Sequence, residues 1–220
     1  MRGLSGWLRK GEALVKLRVM GHAELAPTLL SPEEYLAGEM AAERKHEYVA
    51  GVVYSMAGGP ARHHRIATNA LLALGIRLRG KKCQPFNSDM LVRVRMATHT
   101  RFYYPDVQIV CRPAPPDQLF QDEPSVIVEV ISESSRRTDE QEKREAYLSI
   151  NSVDAYILLE QKGAAATVWR RTSSGFKAER WEGMDATIPL PEIEAALPLA
   201  EVYEGVEFPI ASEEDPLLPP

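Results

Sequence analysis

Two carboxylates stand out along this 220-residue chain because of what surrounds them. Asp106 follows Pro105 at the head of the apolar run Val107 to Cys111, and 23 residues later Glu129 sits inside Val126-Ile127-Val128-Glu129-Val130-Ile131. A carboxylate flanked by Val and Ile is expensive to desolvate unless a cation or hydrogen-bond donors meet it. Two such acids on neighbouring strands predict a metal site, and hard oxygen ligands suit Mg²⁺ or Mn²⁺. Beyond them, Asp139, Lys143 and Tyr147 recur every four residues and so share one helix face, from which a long side chain reaches toward Glu129. Lys143 by itself reads first as a solvated helix residue, and only the alignment with Asp139 and Tyr147 and the missing strand lysine bring the site reading level with it. Glu47 reads either as a site carboxylate or as a surface charge beside Lys45.

These residues need a scaffold, and the pattern around them supplies one. Ser31-Pro32-Glu33-Glu34 carries a capping Ser, Pro at the first helical position and Glu three residues after the cap, so a helix begins there and runs toward Met40. Glu47 to Ala50 and Val52 to Met56 read as two short strands around Gly51. Ile66, Ala67, Ala70, Leu71, Leu74 and Leu78 form a helical stripe over Ala61 to Arg79, which Gly80 ends. Met90 to Arg95 alternates, with Met90, Val92 and Val94 expected inward and Leu91, Arg93 and Arg95 on a largely wet face. Val107 to Cys111 and Val126 to Ile131 read as central strands, and the proline-rich stretch between them as a surface connection. A helix is predicted from Thr138 to about Ser149, then strands at Ala155 to Leu159, Thr167 to Arg170 and Phe176 to Trp181. The order predicts an α/β (α+β) fold with a mixed central β-sheet flanked by helices.

A hydrophobic content of 45% with 26% charged residues suits one globular core. The net charge of −5 excludes the global basic field typical of nucleic-acid binders, so any polyanion site must be local. Arg77-Arg79-Lys81-Lys82 and Arg93-Arg95-Arg101 are candidates for such a groove, against the plainer reading of scattered solvated charge. No apolar run reaches the roughly 20 residues that span a bilayer, so no membrane partner is expected. Cys83 and Cys111 are expected to be two reduced, partly buried thiols of a cytoplasmic protein. Residues 1–25 lack caps and periodicity and are assigned no fold role, either as an extension or as sequence upstream of a start at Met20. Residues 26–210 are expected to form a single domain, and 211–220, acidic and proline-rich, a disordered tail.

At Tyr104-Pro105-Asp106 and Val128-Glu129-Val130-Ile131-Ser132 the chain resembles the PD-(D/E)xK nuclease superfamily. It is more closely similar to a bacterial family of restriction-endonuclease-like proteins, long catalogued as a domain of unknown function. That similarity is carried by Glu47-Tyr48-Val49-Ala50-Gly51, Met56-Ala57-Gly58-Gly59, His64, Ser88-Asp89-Met90, Tyr103-Tyr104-Pro105-Asp106 and Glu129 through Tyr147. The resemblance implies a restriction-endonuclease-like core and a metal-dependent endonuclease. Asp106 and Glu129 would be its metal ligands, helped by the Val130 carbonyl, and Glu47 an auxiliary acid. Where the superfamily has its lysine this chain has Ile131, and the family resemblance moves that role to Lys143. His64, Arg93, Arg95 and Tyr147 are the candidate substrate contacts, with DNA expected ahead of RNA and a homodimer by analogy. The competing reading is a weak or inactive nucleic-acid-binding module that keeps the nuclease fold; a metal enzyme with another substrate is a third. Ser132, Ser134 and Ser135 lack the Gly-x-Ser-x-Gly turn of a nucleophilic serine.

Overall fold

The computed structural model describes residues 29–56, 58–131, 136 and 138–209, together with the backbone of two N-terminal strands. Those strands, β1 (Trp7–Lys10) and β2 (Ala13–Lys16), form an antiparallel hairpin within the stretch assigned no fold role. The rest of 1–28, with 210–220 and Ser132 to Ser135, lies outside the described residues. Helix α1 (Pro32–Glu39) opens on a reciprocal capping box, Ser31 Oγ accepting the Glu34 N–H while the Glu34 carboxylate accepts the Ser31 N–H. β3 (His46–Val49) and β4 (Val52–Ser55) turn through Ala50 and Gly51, both at positive φ, and β2 pairs with β4.

The long helix α2 (Ala61–Leu78) stops at Gly80, whose φ is +73°. After it come β5 (Gln84–Asn87), β6 (Leu91–Arg95), β7 (Thr100–Tyr103), β8 (Val107–Val110), β9 (Phe120–Gln121) and β10 (Pro124–Ile131). A π-helical turn (Thr138–Lys143) then runs into α3 (Arg144–Leu148). β11 (Ala155–Glu160), β12 (Ala165–Thr172), β13 (Gly175–Glu182), the ribbon β14 (Thr187–Leu190) and β15 (Ala195–Pro198), and α4 (Leu199–Val202) complete the chain.

The strands divide into two main sheets rather than one. The first runs β1-β2-β4-β3-β7-β6-β9 and the second β13-β12-β11-β10-β8-β5, with β10 parallel to β11 and antiparallel to β8. Both are flanked by helices, as expected of a mixed α+β architecture. The central strand β10 is covered on both faces. Val126, Val128 and Val130 pack on the α2 side with Ile66 and Leu74, while Ile127 and Ile131 pack on the other with Val92, Tyr103, Tyr147 and Tyr156. Period-2 alternation places Glu129 on the second side, facing α3.

Three local expectations are corrected. Leu91 is buried with Tyr48, Phe102 and Phe120, so β6 has apolar cover on both faces. The proline-rich connection is not wholly surface, because its Phe120 and Gln121 are buried as β9, parallel to β6. The two cysteines are joined, not reduced: β5 and β8 are antiparallel with Gln84 opposite Val110, so Cys83 and Cys111 come next in register with Cα atoms 3.8 Å apart. Closing a loop of 28 residues should stabilise the fold by about 3 to 4 kcal/mol on a chain-entropy account. Denaturant unfolding with and without reductant should differ by that amount; a difference under about 1 kcal/mol would contradict it.

Candidate active site

The pairing of β8 with β10 sets the site. Val107 lies opposite Val128, so Asp106 and Glu129 occupy the next positions of the ladder and share a face. Each carboxylate is tied to the other strand's backbone. Asp106 Oδ2 accepts the Val130 N–H at 2.8 Å, and Glu129 Oε2 accepts the Asp106 N–H at 3.3 Å. The second Asp106 oxygen lies 2.9 Å from His63 Nε2, a residue of the first turn of α2. Gly59 makes room for that histidine, since a Cβ there would come within 3.0 Å of the imidazole ring.

Lys143 closes the arrangement from the other side. Its Nζ lies 2.9 Å from Glu47 Oε1, 3.3 Å from Glu129 Oε1 and 3.8 Å from Asp139 Oδ1, with only 10% of the side chain exposed. The π turn brings this about, because i→i+5 pairing widens the helix while Asp139 and Lys143 still face inward together. One turn on, the Tyr147 hydroxyl donates to Glu129 Oε1 at 3.1 Å. The rings of Tyr103 and Tyr156 pack edge-on against Tyr147. Ile131 shares the face of Glu129 but is buried in the apolar cluster around Tyr147, so no lysine could stand there without displacing core.

The electrostatics are unbalanced. Among the described contacts, Glu47, Glu129 and Asp139 gather around the Lys143 ammonium, and Asp106 bonds the His63 imidazole. Burial drives the Glu129 pKa well above the usual carboxylate range; Asp106, Asp139 and Glu47 add to this and Lys143 opposes it. Burial would lower the Lys143 pKa, but Glu129, Glu47 and Asp139 outweigh it and hold the amine protonated. At His63 burial also pulls down, yet the Asp106 bond and charge, with Asp139, raise the net value. Oxygen donors of this kind suit a hard divalent cation, whose charge would offset the clustered carboxylates. Among the described residues no three His, Cys, Asp or Glu side chains form a ready ligand group, so side chains alone do not complete a coordination shell.

The structure therefore gathers Asp106, Glu129, Lys143, Glu47 and Tyr147 at one place, with the Val130 backbone beside them. It does not bring the remaining candidates there. His64 is exposed on α2 with its ring 5.3 Å from that of His63, which makes the contact. Arg93 forms two hydrogen bonds with Asp122 and lies over the Phe120 ring, and Arg95 is 3.5 Å from Asp122. Both line a cleft of about 320 Å³ with Glu123, Asn151 and Ser152, at the Pro124 end of β10 and away from Glu129. Arg77 is held by Glu201, so the proposed basic groove is not continuous. Sequence reading placed His63 and Asp139 outside the candidate set. Asp139 shared the Lys143 spacing and was recoverable from it; the choice between adjacent histidines depends on helix phase at a glycine turn.

Burial of Lys143 changes what its removal should do, since three carboxylates would be left facing one another. Lys143→Ala should cost on the order of 3 kcal/mol at neutral pH. Glu129, already pushed up by burial and by its acidic neighbours, would lose the one group that lowers its pKa, so the deficit should be small below about pH 4 and grow as pH rises. Chemical denaturation of both proteins across this range checks it; an equal deficit at every pH would refute the charge account.

The chain and its fold have counterparts. Residues 32–200 match the Uma2 family, described as "Putative restriction endonuclease". An uncharacterized protein of Synechocystis sp., slr1290, is 27% identical over 193 residues, covering 86% of this chain and all of that protein. A second from the same organism, sll1609, is 32% identical over 136 residues, 60% of this chain and 76% of that protein. Among solved structures, one titled as a putative nuclease belonging to DUF820 from Anabaena variabilis superposes with a TM-score of 0.62 at 16% identity, over 79% of this chain and 97% of that one. That likeness establishes the restriction-endonuclease-like fold. With most of its length matched, this chain belongs to the Uma2 family of restriction-endonuclease-like proteins.

Proposed function

We propose that this protein is a divalent-metal-dependent endonuclease that hydrolyses phosphodiester bonds of DNA at the Asp106–Glu129 site. The observation that carries this reading is the pair of cross-strand carboxylates, with a buried lysine beside Glu129 that two further acids, Glu47 and Asp139, also face. Asp106 and Glu129 would hold the ion, with the Val130 carbonyl as a further oxygen ligand. A bound Mg²⁺ or Mn²⁺ supplies Lewis-acid stabilisation of phosphoryl oxygens and an activated water. The protein's own groups do the rest. His63 fixes the orientation of Asp106 through Oδ1, and the Val130 N–H fixes Oδ2. Tyr147 orients Glu129 by donating to Oε1. Lys143 presents a permanent positive charge and N–H donors where the attacking water and the phosphoryl oxygens meet. Glu47 holds that ammonium at 2.9 Å and so aims it. Cutting both strands of a duplex calls for two such sites, which accords with a homodimer.

Incubating the protein with duplex DNA, single-stranded DNA and RNA, with Mg²⁺, Mn²⁺ or chelator, tests the proposal. Metal-dependent internal cleavage by wild type, lost in Asp106→Ala, is expected. Nucleic-acid binding with no cleavage under any metal would favour the inactive module. Metal affinity should also depend on pH with a definite sign. The raised Glu129 pKa means that a proton competes with the ion, so affinity should increase with pH through that pKa and level off above it. Calorimetric titration of Mn²⁺ at several pH values reads this; affinity that falls with rising pH, or binding unchanged in Asp106→Ala, would remove the metal assignment.

A further inference from the structure

The Cys83–Cys111 bridge lies at a sheet edge and beside open space. β5 is the last strand of the second sheet, and the bridge sits one register step beyond the Gln84 and Val110 pair. The two sulfurs are not equivalent. Cys83 is 9% exposed and belongs to the core packed around α2, whereas Cys111 is only half-buried and lines a cleft of about 230 Å³. A register shift between Pro124 and Val126 of β10 turns Ser125 toward this end of β8, and its Oγ donates to Cys111 Sγ at 3.4 Å. The cleft carries charge of both signs. Lys82 and Arg112 flank the two cysteines in sequence, and Glu123 and Asp154 stand with them. Arg112 pairs with Glu123 at 2.8 Å, while Lys82 makes no ion pair among the described residues. Through Arg112, Glu123, Asn151 and Ser152 the cleft continues into the neighbouring one of about 320 Å³, so the sulfur lies along a trough with room for a short peptide.

We propose that Cys111 is a thiol–disulfide exchange site for a small zwitterionic peptide thiol, with carboxylates for Lys82 and Arg112 and an amine for Glu123 and Asp154. In the first step the peptide's thiolate attacks Cys111 Sγ and forms a mixed disulfide there. The bond to Cys83 breaks, and its electron pair leaves on Cys83 Sγ, which takes a proton from water. A second thiolate then attacks the peptide's own sulfur, forming the peptide disulfide and expelling the Cys111 thiolate. The Ser125 hydroxyl is placed to hydrogen-bond that thiolate, and the nearby cations favour it. The bridge gains two electrons and the two thiols lose them, so no further reductant enters. Attack on Cys83 instead would require opening the core. Exchange at Cys111 does not, because the ladder from Gln84 to Asn87 holds β5 on β8 independently of the bridge.

Exchange kinetics on the full oxidised chain test this with three thiols: glutathione, zwitterionic with net negative charge, uncharged 2-mercaptoethanol, and cationic cysteamine. After acid quench, peptide mapping should find the glutathione adduct on Cys111 and not on Cys83. At equal thiolate concentration, Lys82→Glu combined with Arg112→Glu should slow glutathione several-fold, speed cysteamine and leave 2-mercaptoethanol nearly unchanged. The contrast should shrink at high salt. Single-cysteine variants give a second route that does not depend on the charge changes. In Cys83→Ser, glutathione disulfide should thiolate Cys111 in the folded protein, whereas in Cys111→Ser it should leave Cys83 unmodified until denaturant is added. An adduct on Cys83, a rate that stops rising with thiol because it waits on global unfolding, or charge reversal that affects all three thiols alike would overturn the proposal.

Discussion

An ammonium enclosed by two buried carboxylates and a third, half-buried one is the contact on which the arrangement of this protein turns. Lys143 meets Glu47 from the first sheet, Glu129 from the second and Asp139 from the π turn, and so joins three elements at one point. The Lys143 ammonium meets more than one negative charge, because Asp106 stands across from Glu129 on the same face. The residual negative charge is expensive in a site of this burial. It persists because the backbone determines it: two strands whose register is fixed by apolar packing on both faces carry acids at matching positions, and each acid is held by the other strand's N–H. Such stored cost is the usual mark of a functional site rather than of a stabilising network.

The position of the lysine follows from packing. On β10 the residue two beyond Glu129 points to the same side, but in this chain that side is filled by Ile131 within the Tyr147 cluster. A cation can then reach the carboxylates only from outside the strand. The wide turn before α3 provides the approach, bringing Asp139 and Lys143 in together and leaving Tyr147 one turn further on to donate to Glu129. Sulfur chemistry sits at the far end of β8, where the Cys83–Cys111 bridge pins the edge strand β5 five residues from Asp106.

Much of this was legible in the sequence where it depended on local pattern. The capping box at Ser31, the glycine turn after Ala50, the apolar stripe of α2 and the strand around Glu129 each follow from spacing that the chain displays. So did the shared helix face of Lys143 and Tyr147. What was not legible depended on contacts between distant segments. The division into two sheets, the burial of Leu91 beneath Phe120, and the pairing of Cys83 with Cys111 all require knowing which strands become neighbours. The histidine illustrates the same limit at finer grain: His63 and His64 differ by 100° of helix rotation, and only the placement of α2 over the end of β8 selects His63. Arg93 and Arg95 carry the right charge for a phosphate contact, but the antiparallel run of β6 against β7 carries them away from Asp106 and into pairing with Asp122.

Burial, with Asp106, Asp139 and Glu47, pushes the Glu129 pKa up, so a proton competes with metal at this carboxyl, and a protonated C=O vibrates apart from ionised carboxylates. Infrared difference spectroscopy on adding Mn²⁺ across a pH series reads that group directly, with Glu129→Gln as the assignment control. The account predicts loss of a protonated-carboxyl band in wild type and no such loss in the variant. A wild-type spectrum with no protonated carboxyl to lose, or a band that metal leaves untouched, would contradict it.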